Sequence, residues 1–170
     1  MRTSLRMLAV GAVLAAAPVL TACGQGEVSA ARDDGDRDYR AMQPKQVCQL
    51  LTAEEAAQIM KPLTTDRLTP SGEQHNSLPA CNYGAGDGAK YLMLSIHQSS
   101  ALGEDDDAEK VSVAGKQALQ MRPFTGCSVA IPLEKQLYLL AIVESWESGD
   151  EESCTAATEA LAKAYPRLTG

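Results

Sequence analysis

Cys23 directly follows Leu20-Thr21-Ala22, the pattern at which bacterial lipoproteins receive a diacylglyceryl group on the thiol. Arg2 and Arg6 open the chain, and Met7 to Leu20 carries no charge. That layout is the one of a cleaved export signal. The apolar run is about fourteen residues, short of the roughly twenty that a membrane-spanning helix needs. The expectation is a signal peptide over residues 1–22 and a lipidated Cys23. Each buried methylene contributes ~0.8 kcal/mol and two acyl chains suffice for stable anchoring. The chain is therefore expected on the outer, extracytoplasmic face of a membrane, with that membrane as its first partner.

Four thiols remain: Cys48, Cys81, Cys127 and Cys154. An even count in an exported domain points to disulfides. Of the three possible connectivities, the sequence-neighbour pairing Cys48–Cys81 and Cys127–Cys154 is favoured. No C-x-x-C pair and no histidine cluster supports zinc, and nothing in the pattern asks for a cofactor. Nucleophilic hydrolysis needs a nucleophile, a base and an orienting group. The histidines are His75, in a Gly/Pro-punctuated loop, and His97, near a strand end, and there is no G-x-S-x-G elbow. Glu54, Glu55, Asp87, Glu144 and Glu147 are available as carboxylates for glycoside chemistry, but any acidic chain supplies such candidates. No residue is therefore assigned a catalytic role, and the expectation is a protein that is not an enzyme.

The formal charge is −7. Arg2 and Arg6 are the signal's only charges, so its removal takes the charge to −9. Such a surface repels nucleic acid and anionic headgroups. Aromatic residues make up 4% of the chain, with Phe124 and Trp146 each the single residue of its type. The core must then be aliphatic, and an aromatic-lined sugar or base groove is hard to build. Tyr83, Tyr91, Tyr138 and Trp146 are the candidate contact residues for a ligand.

These side chains need elements to place them. Residues 23–45 read as a lipidated cysteine and a charged tether, because Arg32-Asp33-Asp34-Gly35-Asp36-Arg37-Asp38 has no apolar period. Residues 46–170 read as one domain. Thr52-Ala53-Glu54-Glu55 is a capping box that opens a short helix to about Met60, stopped by Pro62. Residues 63–78 look irregular, with Pro70, Gly72 and Pro79 as punctuation. Ala80–Tyr83 and Tyr91–His97 read as a hairpin around Gly84-Ala85-Gly86-Asp87-Gly88. Glu104-Asp105-Asp106-Asp107 lies in a charged connection. Val111 to Arg122, Cys127–Ile131 and Gln136–Glu144 complete about five strands, the last apolar on both faces and hence central. A helix from about Glu151 to Leu168 carries Cys154, Ala157, Leu161, Ala164 and Leu168 on one stripe, and Pro166 ends its regular part. Cys154 on that stripe suits a bond to a strand cysteine. The expected fold is α+β: an antiparallel β-sheet with N-terminal and C-terminal helices packed on it and two disulfides.

Cys48-Gln49-Leu50-Leu51-Thr52-Ala53-Glu54-Glu55-Ala56, Cys81-Asn82-Tyr83, Val113-Ala114-Gly115-Lys116-Gln117-Ala118, Cys127-Ser128-Val129 and the late Cys154 form an ordered set. Over about residues 46–168 the chain resembles actinobacterial cell-envelope lipoproteins of a domain-of-unknown-function family. Those open with C-x-L-L-T-x-E-E-A and carry a late cysteine before the final helix. Cys81-Asn82-Tyr83 departs from the Cys-x-Trp of that pattern. The resemblance implies an envelope address and an α+β fold, and it brings no reaction and no catalytic residues. The functional expectation is a ligand- or partner-binding module engaging a small ligand or an envelope protein through one sheet face or a sheet–helix groove. The alternative is an envelope-associated hydrolase. Intact-mass analysis of the native product checks the anchor: the chain is expected to begin at Cys23 with added acyl mass, and a retained Met1 would exclude it.

Overall fold

The computed structural model describes residues 37–84, 90–100, 108–123, 125–134, 136–145 and 150–170. Three α-helices and seven strands are described: α1 (Pro44–Val47), α2 (Ala53–Met60), β1 (Thr69–His75), β2 (Leu78–Gly84), β3 (Lys90–Gln98), β4 (Glu109–Val113), β5 (Lys116–Met121), β6 (Cys127–Glu134), β7 (Leu137–Ser145) and α3 (Asp150–Thr169). The strands form one sheet in the order β1-β2-β3-β7-β6-β5-β4, and every pairing is antiparallel. Two meanders, β1–β3 and β4–β7, are thus joined along β3 and β7, which pair from Lys90↔Ser145 to Gln98↔Leu137.

Period-two patterning explains why these residues build this sheet. Leu92, Leu94 and Ile96 of β3 share a face with Leu137, Leu139, Ala141 and Val143 of β7. Ala157, Ala160, Leu161, Ala164 and Leu168 of α3 join the same core cluster. The alanine stripe lets the helix sit close to the sheet. All three helices contribute their buried residues to this one core. Two layers result, with helices on one face of the sheet.

The two disulfides join Cys48 to Cys81 and Cys127 to Cys154. Each ties a helix to a strand: the end of α1 to β2, and the first turns of α3 to β6. Gly126, immediately before Cys127, has φ +119°, and a Cβ there would overlap the Val143 carbonyl. Only glycine fits that approach.

Several expectations are corrected. The sheet has seven strands instead of about five. The stretch read as irregular over 63–78 contains β1, which turns into β2 through Asn76 and Ser77 at φ 50° and 65°. Those positive angles suit the two-residue turn that matches strand twist. Pro70 is tolerated because β1 is an edge strand, and Gly72 lets the strand pass close to α1, since a Cβ there would sit 3.1 Å from Pro44 Cβ. Residues 111–122 divide into β4 and β5 around Ala114-Gly115, both at positive φ. Pro166 lies inside α3 and does not end it, since a proline in the last turn removes one amide while Gly170 N–H still donates to Pro166 O. Packed structure also begins before residue 46: Tyr39 is buried in the core, so this part of the expected tether belongs to the domain. The β2–β3 hairpin is present, although 85–89 of its loop lie outside the described residues, as do 101–107, with their acidic run.

Removing one cross-link tests how the layers are held. Each bridge closes a loop of sequence separation 33 or 27, worth about 3–4 kcal/mol in the chain-entropy account. The Cys127→Ser/Cys154→Ser variant is expected to lose about that much in urea unfolding. Non-reduced peptide mapping of the parent should find only the two neighbour pairs.

Candidate functional site

The segment between α1 and α2 is held by a disulfide, a capping box and side chains from β2 and α3. Leu50 and Leu51 are buried, and Cys48 is cross-linked. Thr52 and Glu55 form the expected capping box: Glu55 N–H donates to Thr52 Oγ1 at 3.2 Å, and Thr52 N–H to Glu55 Oε2 at 3.0 Å. The same carboxylate receives Arg167 of α3 bidentately, Nη1 at 2.6 Å and Nη2 at 2.7 Å. Arg167 Nη1 also donates to Leu50 O at 3.0 Å, and Lys163 Nζ lies 3.8 Å from Glu55 Oε1. The Arg167 guanidinium, and then the Thr52 amide, lower the Glu55 pKa from 4.5 to about 2. Glu55 is therefore a clamp between α2 and α3.

Tyr83 is not a contact residue. It is wholly buried on the core face, where its hydroxyl donates to Leu51 O at 2.7 Å and Cys48 O at 3.2 Å. Burial pushes the phenol well above its ordinary value. Its neighbour in sequence, Cys81, carries the bridge to Cys48, so the Cys-x-Tyr spacing places bridge and tyrosine on the same side of β2.

Tyr91 and Tyr138 lie on the opposite face, on which no described helix packs. The register sets out that face in rows: Tyr91↔Glu144, Met93↔Ile142, Ser95↔Leu140 and His97↔Tyr138 across β3 and β7, continued by Ile142↔Ser128 and Leu140↔Ala130 on β6. Leu119 and Met121 of β5 extend it. Leu140 and Ala130 are buried and form a second apolar cluster, against which Leu119, Met121, Tyr138 and Ile142 pack half-buried. β7 is central, as expected, and apolar on both faces, and the described helices cover one of them. Two polar atoms on this face are enclosed without a hydrogen-bond partner, Ser95 Oγ and Asn82 Oδ1. Burial and hydrogen bonding to Glu144 raise the Tyr91 phenol above its ordinary value. His97 is on this face too, and its pKa is lowered by burial and then by the charge of His75. Neither histidine hydrogen-bonds a hydroxyl or carboxylate among the described residues. Cys23, Asp87, Trp146 and Glu147 lie outside the described residues.

The sequence reading missed a groove between α2 and α3, about 550 Å³ in volume, with Ile59 and Pro62 on one wall and Glu152, Ala156 and Glu159 on the other. The only signal for it was the i, i+4, i+7 spacing of the last three. Among the described residues, no group of three or more metal-ligating side chains comes together, and no helix is long and apolar enough to cross a membrane.

The Glu55 clamp has a pH signature. The unfolded carboxyl protonates near 4.5, the folded one near 2. Its stabilisation is full above pH 4.5 and is lost as pH falls towards 2. Glu55→Gln keeps the cap and removes the charge, so it is expected to cost at most about 1 kcal/mol at pH 7 for a partly exposed pair. Glu55→Ala removes both and is expected to cost about 1–2 kcal/mol. Urea unfolding across pH should show the gap between parent and Glu55→Gln closing by about pH 2; a gap that stays constant would contradict the assignment.

No curated protein and no solved structure matches the chain. Residues 18–167 match one family, described as protein of unknown function (DUF3558). With both bridges and the α+β fold in place across that span, the chain belongs to the DUF3558 family.

Proposed function

We propose that this protein is a membrane-anchored extracytoplasmic lipoprotein that acts as a ligand- or partner-binding module, and that the sheet face opposite the described helices is its contact surface. The observation that carries this reading is the second apolar cluster. A sheet face that meets only water ordinarily alternates to polar residues, yet here Leu119, Met121, Tyr138 and Ile142 stand half-buried around Leu140 and Ala130. The Tyr91 and Tyr138 side chains sit at the margin of that surface with an apolar ring and a polar tip, the combination favoured at interfaces. The Leu-Thr-Ala-Cys sequence ending at Cys23 supports the anchor, and the net charge of −7 argues against nucleic acid as partner.

Native co-purification from detergent extract, with mass spectrometry of what stays bound, tests the reading. The Leu119→Ser/Ile142→Ser variant changes two half-buried positions. It is expected to retain at least tenfold less of the ligand or partner that the parent holds. If parent and variant carry the same material in equal amount, this face is not the contact surface.

A further inference from the structure

We propose that Cys48 is a site of thiol exchange: a dithiol attacks its sulfur, and the Cys48–Cys81 bridge opens and recloses in the folded protein while Cys127–Cys154 stays shut. This role is independent of the sheet face. The two bridges differ in access. Cys81 and Cys127 are each 0% exposed and Cys154 is 5% exposed. Cys48, at the C-terminal end of α1, is only half-buried. Exchange depends on which sulfur is struck and on whether a thiolate can get to it. Of the four bridged residues, Cys48 is the one that solvent reaches.

A second observation is what holds the α1–α2 connection once the bond is cut. The Tyr83 hydroxyl donates to the carbonyl of Cys48 itself at 3.2 Å and to Leu51 O at 2.7 Å. Arg167 Nη1 donates to Leu50 O at 3.0 Å. Val47, Leu50 and Leu51 are buried in the core. None of these contacts needs the bridge. The separated sulfurs therefore stay side by side, and reclosure is an intramolecular step favoured by proximity. Cys127–Cys154 is placed differently. To bare either of its sulfurs, α3 must lift from β6 and expose Ala157, Leu161 and Ala164. That is a sub-global opening, far costlier than a local one.

The step balances with a dithiol as co-reactant. Its thiolate bonds to Cys48 Sγ, the Cys48–Cys81 bond breaks, and Cys81 leaves as a thiolate that takes a proton. The second thiol of the dithiol, deprotonated, then attacks the dithiol's own sulfur in the mixed disulfide and releases Cys48, which is protonated in turn. The dithiol ends as a disulfide, and the protein bridge has gained two electrons and two protons. The reduced chain loses the covalent tie between α1 and β2 and keeps the one between α3 and β6.

Treatment of the folded chain with dithiothreitol, quenched at intervals with iodoacetamide and read by peptide mapping, tests the assignment. Cys48 and Cys81 are expected to be alkylated at least tenfold faster than Cys127 and Cys154, with the far-ultraviolet circular dichroism unchanged. Appearance of all four thiols together, or of Cys127 and Cys154 first, overturns the proposal. Single variants test the point of attack. By the same mapping, Cys48 in the Cys81→Ser variant is expected to be alkylated at least tenfold faster than Cys81 in the Cys48→Ser variant. Equal rates, or the reverse order, overturn the proposal as well.

Discussion

The Glu55 carboxylate is the point at which the ends of this domain are joined. One side chain caps α2 through Thr52 and takes Arg167 from the far end of α3, more than a hundred residues later in the chain. Around it, three carbonyls of the α1–α2 connection are collected by distant donors: those of Cys48 and Leu51 by Tyr83, and that of Leu50 by Arg167. A non-regular segment buried against a sheet would otherwise leave its backbone acceptors unpaired, at a cost of the order of 1–3 kcal/mol each. The Cys48–Cys81 bridge fixes the same segment covalently. Apart from the exposed Glu54, the Cys-x-Leu-Leu-Thr-x-Glu-Glu-Ala run is thereby accounted for as architecture: a bridge, two core leucines, a cap and its reciprocal partner, and a buried Ala56.

With the helices held to one side, the sheet carries two chemically different surfaces. Its central strands, β3 and β7, alternate strictly on the core side and remain largely apolar on the other. The core side is finished by the alanine stripe of α3. The other side has aliphatic side chains, tyrosines and enclosed polar atoms, and no described helix lies on it. An apolar surface organised in register, with its own cluster, is the kind of feature that marks interaction sites on monomeric proteins.

Much of this was readable from the residues. The capping box at Thr52, the alternation of Leu92, Leu94 and Ile96, the double-sided Leu137–Val143 run and the stripe of α3 each announce one element. Cys154 on that stripe foretold its bond to Cys127. What escaped has a physical cause in each case. β1 is polar because it is an exposed edge, so no hydrophobic period marks it, and its proline and glycine look like loop punctuation. The tight turns at Asn76-Ser77 and Ala114-Gly115 place residues other than glycine at positive φ, which weakens the usual turn signal. Tyr83 and Tyr138 are alike in composition but lie on opposite faces, and only strand register separates them. Arg167 carries no motif of its own; its role exists only once α3 is laid against α2.

The sheet's outermost strands have one more consequence. β1 carries Pro70, which offers no amide to a newcomer, and β4 places the charged Glu109 and Lys110 at its start. Unpaired edges recruit further strands from other chains, and proline and charge are the devices that deter them. Crowded copies of this molecule are accordingly discouraged from zipping together into a cross-β ribbon.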